Sequence, residues 1–240
     1  MNKKETEDYI IKYLDGYLTT KGFKHKKSQK TQIEYYRKFD NNSFEKFSLS
    51  TINYYDSHRL RFGFGKRISV VEEVITKINE VIPFSNPPYK KDANTLGFGY
   101  NSYYGINQDG LPDYMETEQD VKNIVEKIID FTEKEALPFL EKLNDLSEID
   151  KLINGDDKNF WNSTDKNTFN LGGANFFDVR RLIIAKLSGR KDFEELVDKV
   201  YKSIESESTK NGHPFVYDRN DLTKKIPYTV KLLQDTYFIS

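Results

Sequence analysis

Two short stretches carry glycines in a pattern that would suit phosphate chemistry. Residues 59–67 read RLRFGFGKR, and residues 95–105 read TLGFGYNSYYG. A phosphate-cradling loop places four residues between its first glycine and a Gly-Lys-Ser/Thr, so that backbone amides wrap the phosphates and the hydroxyl meets magnesium. Here one residue separates Gly63 from Gly65, and Arg67 stands where the hydroxyl residue belongs. A dinucleotide fingerprint needs a third glycine opening a helix, and none follows at that spacing. Strand alternation accounts for both stretches. Leu60, Phe62 and Phe64 share one face while Arg59, Arg61, Gly63 and Gly65 share the other, and Leu96, Phe98 and Tyr100 alternate with Gly97 and Gly99. Bare glycine inside a strand marks a bulge, a bend or the close approach of another element. The pattern predicts neighbouring or facing strands whose glycine faces let a helix pack closely, with a ligand lying on that floor as the alternative.

Other routes to chemistry are sparse. With no cysteine there is no thiolate ligand, thiol nucleophile or disulfide. His25, His58 and His213 stand apart from one another and from carboxylates at metal-ligand spacing, so neither a metal nor a cofactor is expected. No G-x-S-x-G elbow nominates a serine. Acidic residues recur at helical spacing in 117–143, a pattern that a solvated helix face explains better than paired acid/base carboxylates.

Charge placement is more informative than net charge, which is −1. Residues 21–67 hold 12 basic and 4 acidic side chains, whereas residues 113–157 hold 14 acidic and 5 basic ones. Asymmetry of this kind steers charged partners, unless the two parts neutralise each other within one globule. The acidic block nominates a protein-binding surface made by Asp113, Glu116, Glu118, Asp120, Glu126, Asp130 and Glu133, with the single tryptophan, Trp161, as an aromatic anchor. The partner such a surface fits is a basic protein, for instance a basic toxin. The basic segment nominates the alternative, single-stranded nucleic-acid binding by Lys24, Lys26, Lys27, Arg37, Arg59, Arg61 and Arg67 beside the aromatics of EYYRK. No RNP-like or recognition-helix signature accompanies it, which leaves the protein partner as the leading expectation. A third possibility is an enzyme site between the glycine-rich strands and the loop 156–175.

The elements that must position these groups follow from periodicity. Tyr9, Ile10, Tyr13, Leu14 and Tyr17 form a helical stripe that Gly22 closes. Alternating runs at TQIEYYRKF, EKFSLSTINYY and RLRFGFGK, joined by tight connections, predict an antiparallel meander. Ser69 is expected to cap a helix that buries Val70, Val71, Val74, Ile75, Ile78 and Ile82. A second strand pair lies near 95–108. TEQD (117–120) is a capping-box variant before a helix that Pro138 must end or kink, and Ser147 is expected to cap a short helix closing near Gly155. Residues 156–175 are either a functional loop or hold a strand at NTFNL. A helical hairpin with Gly189 at its turn spans 177–205, an extended PFVYD follows, and Pro227 is expected in the first turn of a last helix.

The fold class expected is α+β: an antiparallel sheet of five or six strands packed on helices over residues 1–112, then a mostly helical region over 113–240, together forming one globule. The charged N-terminus lacks a signal-peptide apolar run, and no stretch reaches the roughly 18 apolar residues of a membrane helix. A cytoplasmic protein with no membrane contact is expected. The helix ending in KGFKHKK, the YYRKF strand with its meander, and the late LIIAKLSGRKDFEELVD hairpin together resemble the small stand-alone bacterial α+β proteins found near polymorphic-toxin immunity genes. That resemblance implies a non-enzymatic cytoplasmic binder that neutralises a cognate toxin, and it supplies no catalytic residues.

Overall fold

The computed structural model describes residues 1–26, 32–40, 42–54, 57–83, 94–100, 114–155, 170–171, 177–208 and 219–236. The fold is α+β. Six antiparallel strands form one sheet in sequence order: β1 (Lys24–Lys26), β2 (Gln32–Lys38), β3 (Phe44–Tyr54), β4 (Ser57–Arg67), β5 (Leu96–Tyr100) and β6 (Asn170–Leu171). β6 falls inside NTFNL and pairs Leu171 with Phe98 and Asn170 with Gly99. The rest of the 156–175 stretch, like PFVYD, lies outside the described residues.

The chain divides into two compact units that interleave in sequence. One comprises residues 1–67, 96–142 and 161–172, and the other residues 68–95, 143–160 and 173–240. The first holds the sheet together with α1 (Lys3–Thr20), α3 (Glu118–Phe131) and α4 (Leu137–Lys142). The second holds α2 (Ser69–Val81), α5 (Leu146–Asn154), α6 (Phe177–Leu187), α7 (Phe193–Ser208) and α8 (Arg219–Thr236). Among the described residues no helix is long and apolar enough to cross a membrane.

In the sheet unit, β4 and β5 lie side by side, as their matching alternation predicts. Gly63 faces Gly99, Phe64 faces Phe98 and Gly65 faces Gly97. The glycines have a different reason from the one expected, because the helices of this unit pack on the aromatic face. Phe131 of α3 meets Phe62 at 6.1 Å and Phe139 of α4 meets Phe98 at 4.9 Å, both edge to face. Tyr35, Phe47, Phe64 and Phe98 form one buried cross-strand row beneath them, the pairing that stabilises a sheet best when aromatics are opposed. At Gly63 the constraint comes from the sheet itself: an added Cβ would stand 3.1 Å from the Phe98 carbonyl oxygen.

α1 begins with a reciprocal cap, in which Glu5 N–H donates to Asn2 Oδ1 (3.0 Å) and Asn2 N–H to the Glu5 carboxylate (2.8 Å). It buries Ile10, Leu14 and Leu18, leaving Tyr9, Tyr13 and Tyr17 half-exposed along one flank. Gly22, at φ +83°, ends it: Gly22 N–H reaches Thr19 O and Phe23 N–H reaches Leu18 O, each at 3.0 Å, the Schellman pattern. The Thr117/Asp120 box caps α3 as expected, with Thr117 N–H on Asp120 Oδ2 (2.9 Å) and Asp120 N–H on Thr117 Oγ1 (3.2 Å). Before Pro138 the helix widens into a π-turn, Thr132–Ala136. That widening absorbs the missing donor and ring bulk of the proline.

In the helical unit α6 buries Val179, Leu182, Ile183, Ile184 and Ala185 and also Arg180, whose guanidinium pairs with the buried Glu72 of α2 at 2.8 and 3.0 Å, as a buried charge requires. α7 buries Phe193, Leu196, Val197 and Val200, one stripe at helical spacing. Three terminus assignments are corrected. The cap residue of α2 is Ile68, extended at φ −113°, and Ser69 is the first helical residue; Ile68 N–H donates to Thr95 Oγ1 (2.9 Å). α5 is capped by Asp145, which accepts from Ser147 N–H at 2.7 Å, because a carboxylate at a helix N-terminus gains from the dipole as well as the hydrogen bond. Pro227 lies inside α8. It is exposed, and the buried Ile226, Thr229 and Leu233 hold the helix on both sides of it.

Candidate functional site

Register and strand alternation sort the basic residues. Side chains two apart share a sheet face, so the pairings place Lys24 beside Tyr36 and Lys46, Gln32 beside Ser50 and Arg61, Lys26 beside Glu34, Ser48 and Gly63, and Lys38 beside Phe44 and Arg67. Arg59, opposite Ile52, joins the same side. Among the described residues, the face turned away from the aromatic row thus carries seven strand cations, Lys24, Lys26, Lys38, Lys46, Arg59, Arg61 and Arg67, against one strand carboxylate, Glu34.

These cations differ in what they touch. Lys46 pairs with Glu34 at 3.2 Å. Lys26 and Lys46 lie over the Tyr36 ring at 5.1 and 5.7 Å, and Tyr36 donates its hydroxyl hydrogen to Glu34 (3.1 Å). Arg59 stacks on Tyr114 at 4.5 Å and donates to its hydroxyl. Arg67 is buried. Lys24, Lys26, Lys38 and Arg61 are exposed. Around Arg61 the face dips into a cleft of about 170 Å³ lined by Gln32, Ser48, Leu49, Ser50, Phe62 and Gly63.

Of the basic candidates read from sequence, Lys24, Lys26, Arg59, Arg61 and Arg67 come together here, while Lys27 lies outside the described residues. Arg37 is on the opposite face. Its Nη2 and Nε bind Glu45 Oε2 at 2.6 and 3.0 Å, and Lys66 binds the other Glu45 oxygen at 3.3 Å and the Leu140 carbonyl at 3.0 Å. Arg37, Glu45 and Lys66 occupy one register row. Burial pushes the Lys66 ammonium below its ordinary value, with Glu45 opposing the shift. Lys38, Lys46, Gln32, Ser48 and Ser50 were not singled out from sequence. Their signal is the parity of each strand position, usable once the strands are paired.

The acidic candidates have a different disposition. Glu118 accepts from Lys12 Nζ at 2.8 Å and from the Tyr13 hydroxyl at 2.5 Å. Glu133 accepts from the Tyr17 hydroxyl at 2.6 Å and from Lys21 Nζ at 2.8 Å. The lysine and then the tyrosine hold each carboxyl below its usual range. These contacts staple α3 to α1. Asp120 serves the cap. Asp130 pairs with Lys134 at 2.6 Å and Glu126 with Lys122 at 4.0 Å, both side by side on an exposed helix face, and Glu116 is exposed. Asp113 and Trp161 lie outside the described residues. Of the histidines, His25 stacks on Tyr35 at 5.0 Å and His58 is buried between Asn53 Oδ1 and the Met1 carbonyl, whereas His213 lies outside the described residues. No group of three or more His, Asp or Glu among the described residues is arranged to hold a metal ion.

Comparison with known proteins finds no matching family model, no matching curated protein and no matching solved structure.

Proposed function

We propose that this chain binds single-stranded nucleic acid on the basic face of its sheet. One observation carries the reading: pairing of β1 to β4 gathers seven cations and a single carboxylate on that face. Four of the cations are exposed to a ligand, and Tyr36, flanked by Lys26 and Lys46, offers an aromatic ring among them. Cations that follow a backbone, with aromatics on which bases stack, are what sequence-tolerant strand binding requires. Within α3, Glu118 is engaged by α1 and Asp120 by the helix cap, while Glu126 and Asp130 lie beside lysines on an exposed helix face.

The test is fluorescence anisotropy of a labelled oligothymidylate with the full chain. The expected result is binding that falls steeply between about 50 and 200 mM salt, with a logarithmic slope that counts the neutralised phosphates. The variant Lys24→Gln/Lys26→Gln weakens it and flattens the slope. No anisotropy change at the lower salt would remove the proposal.

A second reading keeps a basic protein as partner, and the exposure of Glu116, Glu126 and Asp130 favours it. Under that reading a cationic protein is retained, Glu126→Lys/Asp130→Lys abolishes retention, and the oligonucleotide gives no signal. An immunity-type role would follow from such a partner being a toxin.

A further inference from the structure

We infer that the cleft around Arg61 seats one phosphoryl group of the bound strand, an assignment that rests on the nucleic-acid reading of this face. Arg61 is exposed and has no hydrogen bond or ion pair among the described residues, unlike Arg59 beside Tyr114 and Lys46 beside Glu34. Its cross-strand neighbour is Ser50, and Gln32 lies beyond Ser50 in the same row. Ser48 stands one row away, opposite Gly63. A guanidinium fork, the Ser50 hydroxyl and an amide thus line one depression, donors of the kind that recognise phosphate oxygens, while the Ser48 hydroxyl donates to the Gly63 carbonyl at 3.4 Å. Gly63 adds no side chain to the floor, where the Phe98 carbonyl oxygen and Ser48 Oγ lie 3.1 and 3.5 Å from its Cβ position, so the donors for an anion come from Arg61, Ser50 and Gln32.

Size limits what the cleft holds. Its volume of about 170 Å³ falls below the roughly 300–1,000 Å³ of pockets that enclose a whole small molecule. It suits a single group of a longer ligand. The row of Lys24, Tyr36 and Lys46 lies four residues further along the strands, about 13 Å away at strand rise. A strand anchored by a phosphate at Arg61 therefore runs toward a stacking ring and two further cations on the same surface. The shared chemistry is a phosphate monoanion or dianion, supplied either by a nucleic-acid backbone or by a free phosphate or mononucleotide.

The experiment compares wild type with Arg61→Gln, Arg61→Lys and Lys38→Gln, all at exposed positions, after urea midpoints establish that each is folded. Oligothymidylate affinity is expected to fall about tenfold in Arg61→Gln, with the salt slope reduced by about one. Arg61→Lys is expected to restore the slope and only part of the affinity, because an ammonium cannot make the bidentate contact. Lys38→Gln is expected to change affinity by less than Arg61→Gln. In parallel, amide resonances of Ser50 and Gly63 are followed by NMR while inorganic phosphate, a mononucleotide or the oligonucleotide is added. Selective shifts at those amides with the oligonucleotide at the lowest concentration support the seat on a strand. If wild type binds the oligonucleotide and Arg61→Gln binds it equally well, the cleft assignment falls and the basic-face reading stands. If the oligonucleotide does not bind but inorganic phosphate shifts the two amides in wild type and not in Arg61→Gln, the basic-face reading falls and the seat belongs to a free ion. Silence in every arm overturns both.

Discussion

Lys66, Glu45 and Arg37 show how much depends on a side chain's partner rather than its type. In the sequence Lys66 follows Gly65 as a phosphate-binding lysine would, and Arg37 reads as one more cation of a basic stretch. In the structure both converge on one buried carboxylate beneath α4, with Lys66 and Glu45 almost fully enclosed. A buried pair carries a desolvation cost that its geometry must offset, and removing one partner leaves a charge with nothing opposite it. Glu45→Gln is therefore expected to destabilise the fold by about 3–5 kcal/mol, read as a lowered urea midpoint. Arg37→Met/Glu45→Leu/Lys66→Met, which removes all three charges, is expected to recover most of that loss. A Glu45→Gln midpoint equal to wild type would show that water reaches the row. The seat at Arg61 differs in kind. Its guanidinium is exposed with no hydrogen bond or ion pair among the described residues, so under the proposed reading substituting it is expected to change binding and leave stability almost untouched.

At the scale of elements, the same local rule acts at two distant places. Gly22 ends α1 and Gly189 ends α6, at φ +83° and +76°. Around Gly189 an added Cβ meets nothing within 4 Å, so a side chain there carries only the backbone penalty. Gly189→Ala is expected to cost about 1–2 kcal/mol, and Gly189→Asn less, because asparagine tolerates that region. Equal thermal midpoints for glycine and alanine would show that the turn relaxes to a different conformation. Such rules are why the helical hairpin, the Gly22 stop, the capping box at Thr117 and the meander were legible from sequence: each is decided within a few residues. Ser69, Ser147 and Pro227 were misread for the complementary reason. A serine near a helix start is a cap only if no better acceptor precedes it, and Asp145 does precede Ser147; at α2 the extended residue is Ile68, which makes no side-chain cap, and Ser69 falls one position inside the helix. A proline opens a helix only if nothing upstream is held, and α8 extends eight residues before Pro227. The basic face was half legible. Alternation gave Arg59 and Arg61 a common side, but adding Lys24, Lys26, Lys38 and Lys46 to it required the pairing register between strands, which no single strand's pattern reveals.

For the molecule as a whole, the charge asymmetry of the sequence is partly resolved inside the sheet unit. Lys12 of α1 and its cap residue Lys21 reach Glu118 of α3 and Glu133 of the following π-turn across more than 100 residues of chain. Tyr13 and Tyr17 donate to the same two carboxylates. No local pattern announces contacts of that separation, and they give Glu118 and Glu133 intramolecular partners that the charge count of the sequence does not show. They also make stability depend on pH in a definite direction. Each carboxyl titrates lower in the folded state than the ordinary glutamate value near 4.3. Between the folded and unfolded values the unfolded chain binds more protons, so stability rises with pH there. The stabilisation is fully present above that ordinary value and is lost as pH falls through the lower, folded one. Both pairs are solvent-exposed, so the effect is modest and screened by salt. Urea midpoints followed by far-UV circular dichroism from about pH 6 to pH 3 are expected to fall less steeply in Glu118→Gln/Glu133→Gln than in wild type, with the difference shrinking in high salt. Parallel profiles for the two proteins would mean that α1 and α3 are held by Ile10, Leu14, Val121 and Val125 alone, and that the staple only sets which charges face outward. In that case the proposed binding of a polyanion at neutral pH is expected to be the same in both proteins, because the basic face is fixed by strand register and does not rely on the α1–α3 ion pairs.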